Sequence, residues 1–253
     1  MSKRSLYAFI TGASRGIGLA TAELFLSKGW HVISCSRTKT SKNSKFEPKY
    51  IKHFQADLSD PTELGNLIAD VKKFLGKNPL HALINNAGIS PKAPYQERLG
   101  CLNGDIEEWK KVFELNFYAP LKLSRSFASQ LHKGSGGIVN VTSIAGHKIH
   151  PFAGSAYSIS KAALSSLTKE MANEFADLNV RVNAVAPGEI YTEMIQPRYE
   201  ELIPRIPLGR LGSPEDVAKS IYYLCSLDSG YVTGSELWVT GGQHMVCPFF
   251  VII

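Results

Sequence analysis

Short apolar runs alternate with longer helical patterns along the whole chain, and that alternation leaves few folds open. Residues 6–10, 31–36, 80–84, 138–142, 180–185 and 237–239 read as strands. Between them, residues 16–28, 61–75, 105–132, 155–177 and 214–227 read as helices. The strand runs lack polar alternation, which fits strands buried on both faces. A parallel sheet covered by helices on both sides follows. No internal repeat and no long Pro- or Ser-rich linker divides the 253 residues, so residues 1–253 are expected to form a single domain. Two long loops, 89–104 and 188–212, stand where such sheets shape a ligand site.

The first strand runs into Thr11-Gly12-Ala13-Ser14-Arg15-Gly16-Ile17-Gly18, and a helix follows. Glycine serves three needs there: a tight turn, close approach of backbone to a pyrophosphate, and tight packing of helix on strand. The helix N-terminus offers free N–H groups and the positive end of its dipole to phosphates. Three glycines in seven residues are a weak signal alone, and a bare turn explains them too. Their place between the first strand and the first helix favours a dinucleotide. At the end of the second strand, where a carboxylate would bind the ribose of NAD, stand Ser36-Arg37-Thr38. An arginine there pairs with a 2′-phosphate, and Arg15 adds a second charge. This favours NADP(H) over NAD(H); a surface arginine at a strand end is the plainer reading of Arg37.

Tyr157 and Lys161 lie four apart in a helical segment and so share a face. Ser143 ends the strand before them. Hydride addition to a carbonyl builds negative charge on oxygen and requires a proton. A phenol supplies one, but its free pKa is about 10. Lowering it by about two to three units takes roughly 3–4 kcal/mol, the contribution expected of Lys161 together with a nicotinamide charge. Ser143 would hold the substrate oxygen by a hydrogen bond. A Tyr-x-x-x-Lys pair is also common on amphipathic helices, where the lysine lies along the ring.

Taken together, these residues resemble the short-chain dehydrogenase/reductase family over nearly the whole chain. The resemblance is carried by the glycine loop, Asn85-Asn86-Ala87-Gly88, Asn116, Ser143, Tyr157, Lys161, Pro187-Gly188, Tyr231-Val232-Thr233-Gly234 and Gly241-Gly242. It implies a Rossmann-type, doubly wound α/β fold with a seven-stranded parallel sheet. It also implies an oxidoreductase passing a hydride between NADP(H) and a carbonyl or alcohol, similar to bacterial 3-oxoacyl-carrier-protein reductases. Asn116, Ser143, Tyr157 and Lys161 match the catalytic positions. Gly12, Ser14, Arg15, Gly16, Ile17, Gly18, Ser36, Arg37, Asp57, Leu58, Asn86, Ala87, Gly88, Tyr157, Lys161, Pro187, Gly188, Ile190 and Thr192 match positions around the cofactor. In the family pattern Asp57 bonds the adenine, Asn116 holds a water linking Lys161 to solvent, and Ile190 and Thr192 face the nicotinamide carboxamide. From the residues alone, Asp57, Asn86 and Asn116 read as helix cap, turn former and helix polar face. The 89–104 loop is longer than in the carrier-protein reductases, and Thr240 stands where many relatives have aspartate.

The net charge of +6 is scattered. Lys39, Lys42 and Lys45 sit among serines and read as a solvated loop, not the dense basic stripe that nucleic acid requires. Cys35, Cys101, Cys225 and Cys247 form no C-x-x-C pair and no zinc spacing, so reduced thiols and no metal are expected. Residues 6–10 are too short for a signal or a membrane span, so a cytoplasmic protein is expected. The apolar tail 246–253 is expected to pack on the body or on a neighbour within a homotetramer. Loop 188–212 is expected to form a lid with Tyr191, Met194, Ile195, Tyr199, Leu202 and Ile203 on its apolar inner side. Lys92, Arg98, Arg198 and Arg205 either face solvent or meet an anionic group, and an acyl carrier protein is a candidate partner. A non-catalytic NADP(H) sensor or scaffold with the same fold is the alternative reading.

Overall fold

The computed structural model describes residues 5–38, 50–92, 98–192 and 197–246. Lys39, Lys42, Lys45, Met194, Ile195, Cys247, the side chain of Arg198, residues 93–97 of the long loop and residues 247–253 of the tail lie outside the described residues. In chain order the elements are β1 (Tyr7–Thr11), α1 (Gly16–Ser27), β2 (His31–Ser36), β3 (Ile51–Gln55), α2 (Pro61–Leu75), β4 (Ala82–Asn85), α3 (Ile106–Phe113), α4 (Ala119–Gly134), β5 (Gly137–Val141), α5 (Ser155–Ala176), β6 (Arg181–Pro187), α6 (Pro214–Cys225) and β7 (Glu236–Val239). All seven strands join one parallel sheet in the order β3-β2-β1-β4-β5-β6-β7. The order reverses between β1 and β4, the doubly wound pattern whose crevice takes ligands.

Alternate side chains of each strand point to opposite faces, and each face carries its own core. Phe9, Ile33, Leu83, Ile138 and Val182 pack with apolar residues of α2, α4 and α5. Ala8, Ile10, Val32, Ile84 and Val185 pack with those of α1 and α6. Phe9 and Phe127 meet edge to face at 5.5 Å between ring centroids. Phe25 packs in the same way against Trp30 at 4.9 Å and Tyr222 at 5.2 Å on the other side.

Two sequence readings are corrected. The run Ile51–Gln55 was not among the six strands. It is an edge strand, and its half-exposed residues break the apolar run that marks the central strands. The single helix expected over 105–132 is two α-helices joined by a π-helical turn, Glu114–Tyr118. Such a turn holds an extra residue without leaving the helix axis, and it often marks a functional position. Asn116 is buried within it.

Asp60 caps α2 by accepting from Thr62 and Glu63 amides, with Pro61 in the first turn. Ser213 and Asp216 form a capping box on α6. Among the described residues no helix is long and apolar enough to cross a membrane, and no His/Cys/Asp/Glu group is arranged to hold a metal. Cys35 and Cys225 are buried, and Cys101 is exposed.

Candidate active site

A cleft of about 590 Å³ opens where the strand order reverses, lined from the C-terminal ends of β1 to β6 and the loops that follow them. Every residue predicted to surround a cofactor lines it, and so does Ser143. Asn116 does not.

At one end the glycine loop forms a cradle. Gly12 and Gly16 take φ of +68° and +54°, the left-handed region that glycine enters without strain. A Cβ on Gly12 would lie 2.8 Å from Asn86 Nδ2, and one on Gly18 would lie 2.2 Å from the Gly12 carbonyl oxygen. The loop therefore closes on itself only with glycine. Asn86 holds it to β4: its Nδ2 donates to the Thr11 and Gly12 carbonyls at 2.9 and 3.2 Å. Thr11 Oγ1 accepts from the Asn86 and Ala87 amides and donates to the Ile84 carbonyl. Asn86 is thus a buttress whose amide nitrogen is committed to the protein. No side chain caps α1 and its first turn carries no acid, unlike α2, α3 and α6. An uncapped helix start behind a glycine cradle fits a diphosphate.

Arg37 and Thr38 are exposed at the rim of this end, and Ser36 Oγ donates to the Thr38 carbonyl. Asp57 accepts at Oδ1 from the Ser59 amide and hydroxyl, at 2.9 and 2.7 Å. Burial pushes its carboxyl up, but the Ser59 hydrogen bonds and the Arg37 charge outweigh this and hold it below the ordinary carboxylate value. The helix cap is Asp60, not Asp57, and this leaves Asp57 facing the cleft.

At the other end Ser143 follows β5, and Tyr157 stands in the first turns of α5. Ser143 is hydrogen-bonded to Tyr157 and accepts at Oγ from the Ala145 amide at 3.1 Å. Lys161 is only 3% exposed. Its Nζ donates to the Val141 carbonyl at 2.7 Å and lies 5.8 Å from the centre of the Tyr157 ring. Burial pulls the Lys161 ammonium down to about 8. The sequence reading had Lys161 lowering Tyr157, but here the phenol is raised. Burial pushes it up against the pull of the Ser143 hydrogen bond, and Glu189 pushes it further. Removal from water favours the neutral form of both partners, but Lys161, at about 8, still keeps its proton near neutral pH while Tyr157 stays a neutral phenol.

Asn116 sits behind the wall. Its Oδ1 accepts from the Ile89 amide at 2.9 Å, and its Nδ2 donates to the Ile89 carbonyl at 3.0 Å and to Ser160 Oγ at 3.1 Å. Ser160 in turn donates to the Tyr157 carbonyl. A Cβ on Gly88 would meet Asn116 Oδ1 at 3.2 Å and Lys161 Nζ at 3.4 Å, so glycine lets these two groups approach. The π-helical turn thereby clamps the end of β4 against the helix that carries Tyr157 and Lys161.

The long loop pins the start of that helix. The Ser155 amide donates to the Leu99 carbonyl at 2.8 Å, Arg98 Nε to the Ala153 carbonyl at 2.8 Å, and Lys92 Nζ to the Phe152 carbonyl. Arg98 thus binds backbone, Lys92 binds backbone and the Tyr199 hydroxyl at 3.4 Å, and Arg205 is exposed. Within the expected lid, Tyr199 and Leu202 are buried and Ile203 is half-buried, but Tyr191 is 70% exposed and turns away from the inner side. The Tyr191 amide and the Gly212 carbonyl hold the two ends of this loop together at 2.8 Å, which leaves the ring outside.

Among the lining residues that the sequence reading missed are His150 and Glu189. Both are buried, and His150 Nε2 lies 2.7 Å from Glu189 Oε1. Glu189 stands between Gly188 and Ile190, and a carboxylate at a buried strand end was a signal available in the sequence. His150 had none.

A family model described as enoyl-(acyl carrier protein) reductase matches residues 12–244. The protein FixR of Bradyrhizobium diazoefficiens is 51% identical over 238 residues, 93% of this chain and 86% of that protein. An acetoacetyl-CoA reductase of Rhizobium meliloti is 35% identical, over 95% of this chain and 99% of its own length. A crystal structure of an oxidoreductase of the short-chain dehydrogenase/reductase family from Brucella ovis, in complex with a partially ordered NAD, is 44% identical. It superposes with a TM-score of 0.80, covering 94% of this chain and 100% of that one.

Proposed function

The chain belongs to the short-chain dehydrogenase/reductase family, and from that premise we propose that it moves a hydride between NADP(H) and a carbonyl or alcohol carbon of a small molecule. The observation that carries this reading is convergence: the hydrogen-bonded Ser143–Tyr157 pair and buried Lys161 line the same cleft as the glycine cradle.

When bound, the dinucleotide supplies or takes the hydride at its nicotinamide ring. Tyr157 Oη holds the proton that the substrate oxygen gains in reduction or loses in oxidation. Ser143 Oγ orients that oxygen by a hydrogen bond. Lys161, poised near neutrality, stabilises the phenolate as charge develops and returns the proton. Asn116 supports this relay by fixing Ile89 and the helix that bears both groups. The glycine loop and the start of α1 would hold the diphosphate, Asp57 and Leu58 would meet the adenine, and Pro187, Gly188, Ile190 and Thr192 would line the nicotinamide side.

The choice of NADP(H) over NAD(H) rests on Arg37, with Arg15 in support, because the rim offers no carboxylate at the end of β2. The relative solved with NAD makes this the point to test first. Arg37→Asp should move the NADPH/NADH preference in kcat/KM toward NADH by at least about tenfold, since a charge-assisted pair becomes a repulsion. Unchanged preference would remove Arg37 from the account. The first substrate class to test is a 3-oxoacyl thioester, the class of the R. meliloti relative's substrate, with an acyl carrier protein as a candidate donor. We also propose that loop 188–212 closes over the substrate, and that the protein is a cytoplasmic homotetramer. A four-chain mass by light scattering supports the assembly, and a monomer refutes it.

A further inference from the structure

Ser143 and Tyr157 share their end of the cleft with His150, Ala153, Glu189 and Tyr199. His150 and Glu189 are 6% and 4% exposed, and the proposed mechanism uses neither. His150 Nδ1 accepts from the Phe152 and Ala153 amides at 3.1 and 3.0 Å. A neutral imidazole so held carries its proton on Nε2, and that N–H donates to Glu189 Oε1 at 2.7 Å. Gln243 Nε2 donates to the same oxygen at 3.2 Å. Among the described residues no hydrogen bond ends on Glu189 Oε2. A link serving only to tie these loops would cost less with an amide in place of the carboxylate, because burying a charge is expensive.

Among the described residues, the cations near this subsite already donate to protein acceptors. Lys148 is near enough to feel the Glu189 charge, but its Nζ is held by the Gln243 carbonyl at 2.7 Å. Lys92 Nζ donates to the Phe152 carbonyl and to Tyr199 Oη, and Arg98 Nε donates to the Ala153 carbonyl. Among the described lining residues the other basic side chains are Lys161, beside the tyrosine, and Arg15 and Arg37, at the dinucleotide end. An anionic group beside the reacting carbon would therefore face a carboxylate, whereas a hydroxyl would find an acceptor.

We infer that His150 and Glu189 form a hydrogen-bond-accepting subsite that selects an uncharged substrate carrying a hydroxyl beside the reacting carbon, a hydroxyketone or its diol. This rests on the reading of the cleft as an NADP(H)-dependent active site, and it puts a hydroxyketone in place of the 3-oxoacyl thioester, which has no hydroxyl beside its reacting carbon. In reduction the carbonyl carbon gains a hydride and its oxygen gains the Tyr157 proton. The neighbouring hydroxyl stays intact and donates to Glu189 Oε2.

Three four-carbon ketones separate the cases: 2-butanone has no donor, 3-hydroxy-2-butanone has one, and acetoacetate carries a charge. With the full chain and NADPH, kcat/KM for 3-hydroxy-2-butanone should exceed that for 2-butanone by at least about tenfold, and acetoacetate should be the poorest. Glu189→Gln should bring the ratio of the two neutral ketones to within about threefold, and Glu189→Asp should restore part of it. A purely structural role would lower both rates and leave their ratio unchanged. Equal wild-type turnover of the neutral pair, preference for acetoacetate, or an unchanged ratio in Glu189→Gln overturns the inference. If Glu189→Gln does not fold, the wild-type comparison decides alone. Absence of turnover with all three also overturns it. NADPH binding, read by its fluorescence, then separates the two failures: retained binding leaves the cofactor reading standing, and lost binding removes both.

Discussion

Replacing Lys161 by methionine should trade activity for stability in a manner that depends on pH. The ammonium is 3% exposed, and burial brings its pKa from 10.5 to about 8. Each pH unit is worth about 1.4 kcal/mol, so the charged side chain is worse off inside the fold than in the unfolded chain by about 3 kcal/mol. Between pH 8 and 10.5 the unfolded chain binds one proton more than the folded one, so wild-type stability rises with pH across that window. The cost is present in full below the folded pKa and is relieved above it. By about pH 9.5 roughly 2 kcal/mol should have been recovered. Methionine has nothing to titrate, and its loss of the bond to the Val141 carbonyl costs the same at every pH. Urea unfolding of both proteins, at one protein concentration from about pH 7 to 9.5, isolates the effect as a difference of differences. Wild type should gain about 2 kcal/mol on Lys161→Met over that range. Parallel curves, within about 0.5 kcal/mol, would show that the ammonium is not desolvated and would remove the basis for its lowered pKa.

Three further outcomes follow from the same geometry. Gly18→Ala places a methyl 2.2 Å from the Gly12 carbonyl oxygen, so it should abolish NADPH binding by titration and lower stability by about 1–3 kcal/mol; unaltered binding would show that the loop relaxes freely. Asn116→Ala leaves the Ile89 amide and carbonyl without their partner and should cost about 2–4 kcal/mol in urea unfolding, while Asn116→Asp, which keeps the acceptor, should cost less. Burial pushes the Cys35 and Cys225 thiols up to about 12, so mass mapping should find them alkylated only on unfolding, whereas exposed Cys101 reacts in the native state; rapid native labelling of Cys35 would contradict its burial.

The central strands were legible because burial on both faces leaves largely apolar runs without polar alternation, as in β1. The helix over 61–75 was legible as a long helical pattern between apolar runs, but its cap was not: the sequence pointed to Asp57, and Asp60 provides it. Ile51–Gln55 escaped because an edge strand carries polar residues among its apolar ones. The π-helical turn left no trace, since inserting one residue preserves the helical look of the surrounding sequence. The cleft residues were readable where backbone geometry demands a residue type, as at Gly12 and Gly18, or where chain spacing fixes a shared face, as at Tyr157 and Lys161. The state of the phenol was not, because desolvation depends on what packs around it. His150 and Glu189 are 39 residues apart, and only the fold brings them together.

Tyr157→Phe tests the central claim most directly. Phenylalanine keeps the ring and its packing and removes only the hydroxyl that meets Ser143. Measured side by side, NADPH affinity should stay within about threefold of wild type while kcat for ketone reduction falls by at least about a hundredfold, the usual scale of a general acid. Turnover close to wild type in that variant would contradict the assignment of the transferred proton to Tyr157.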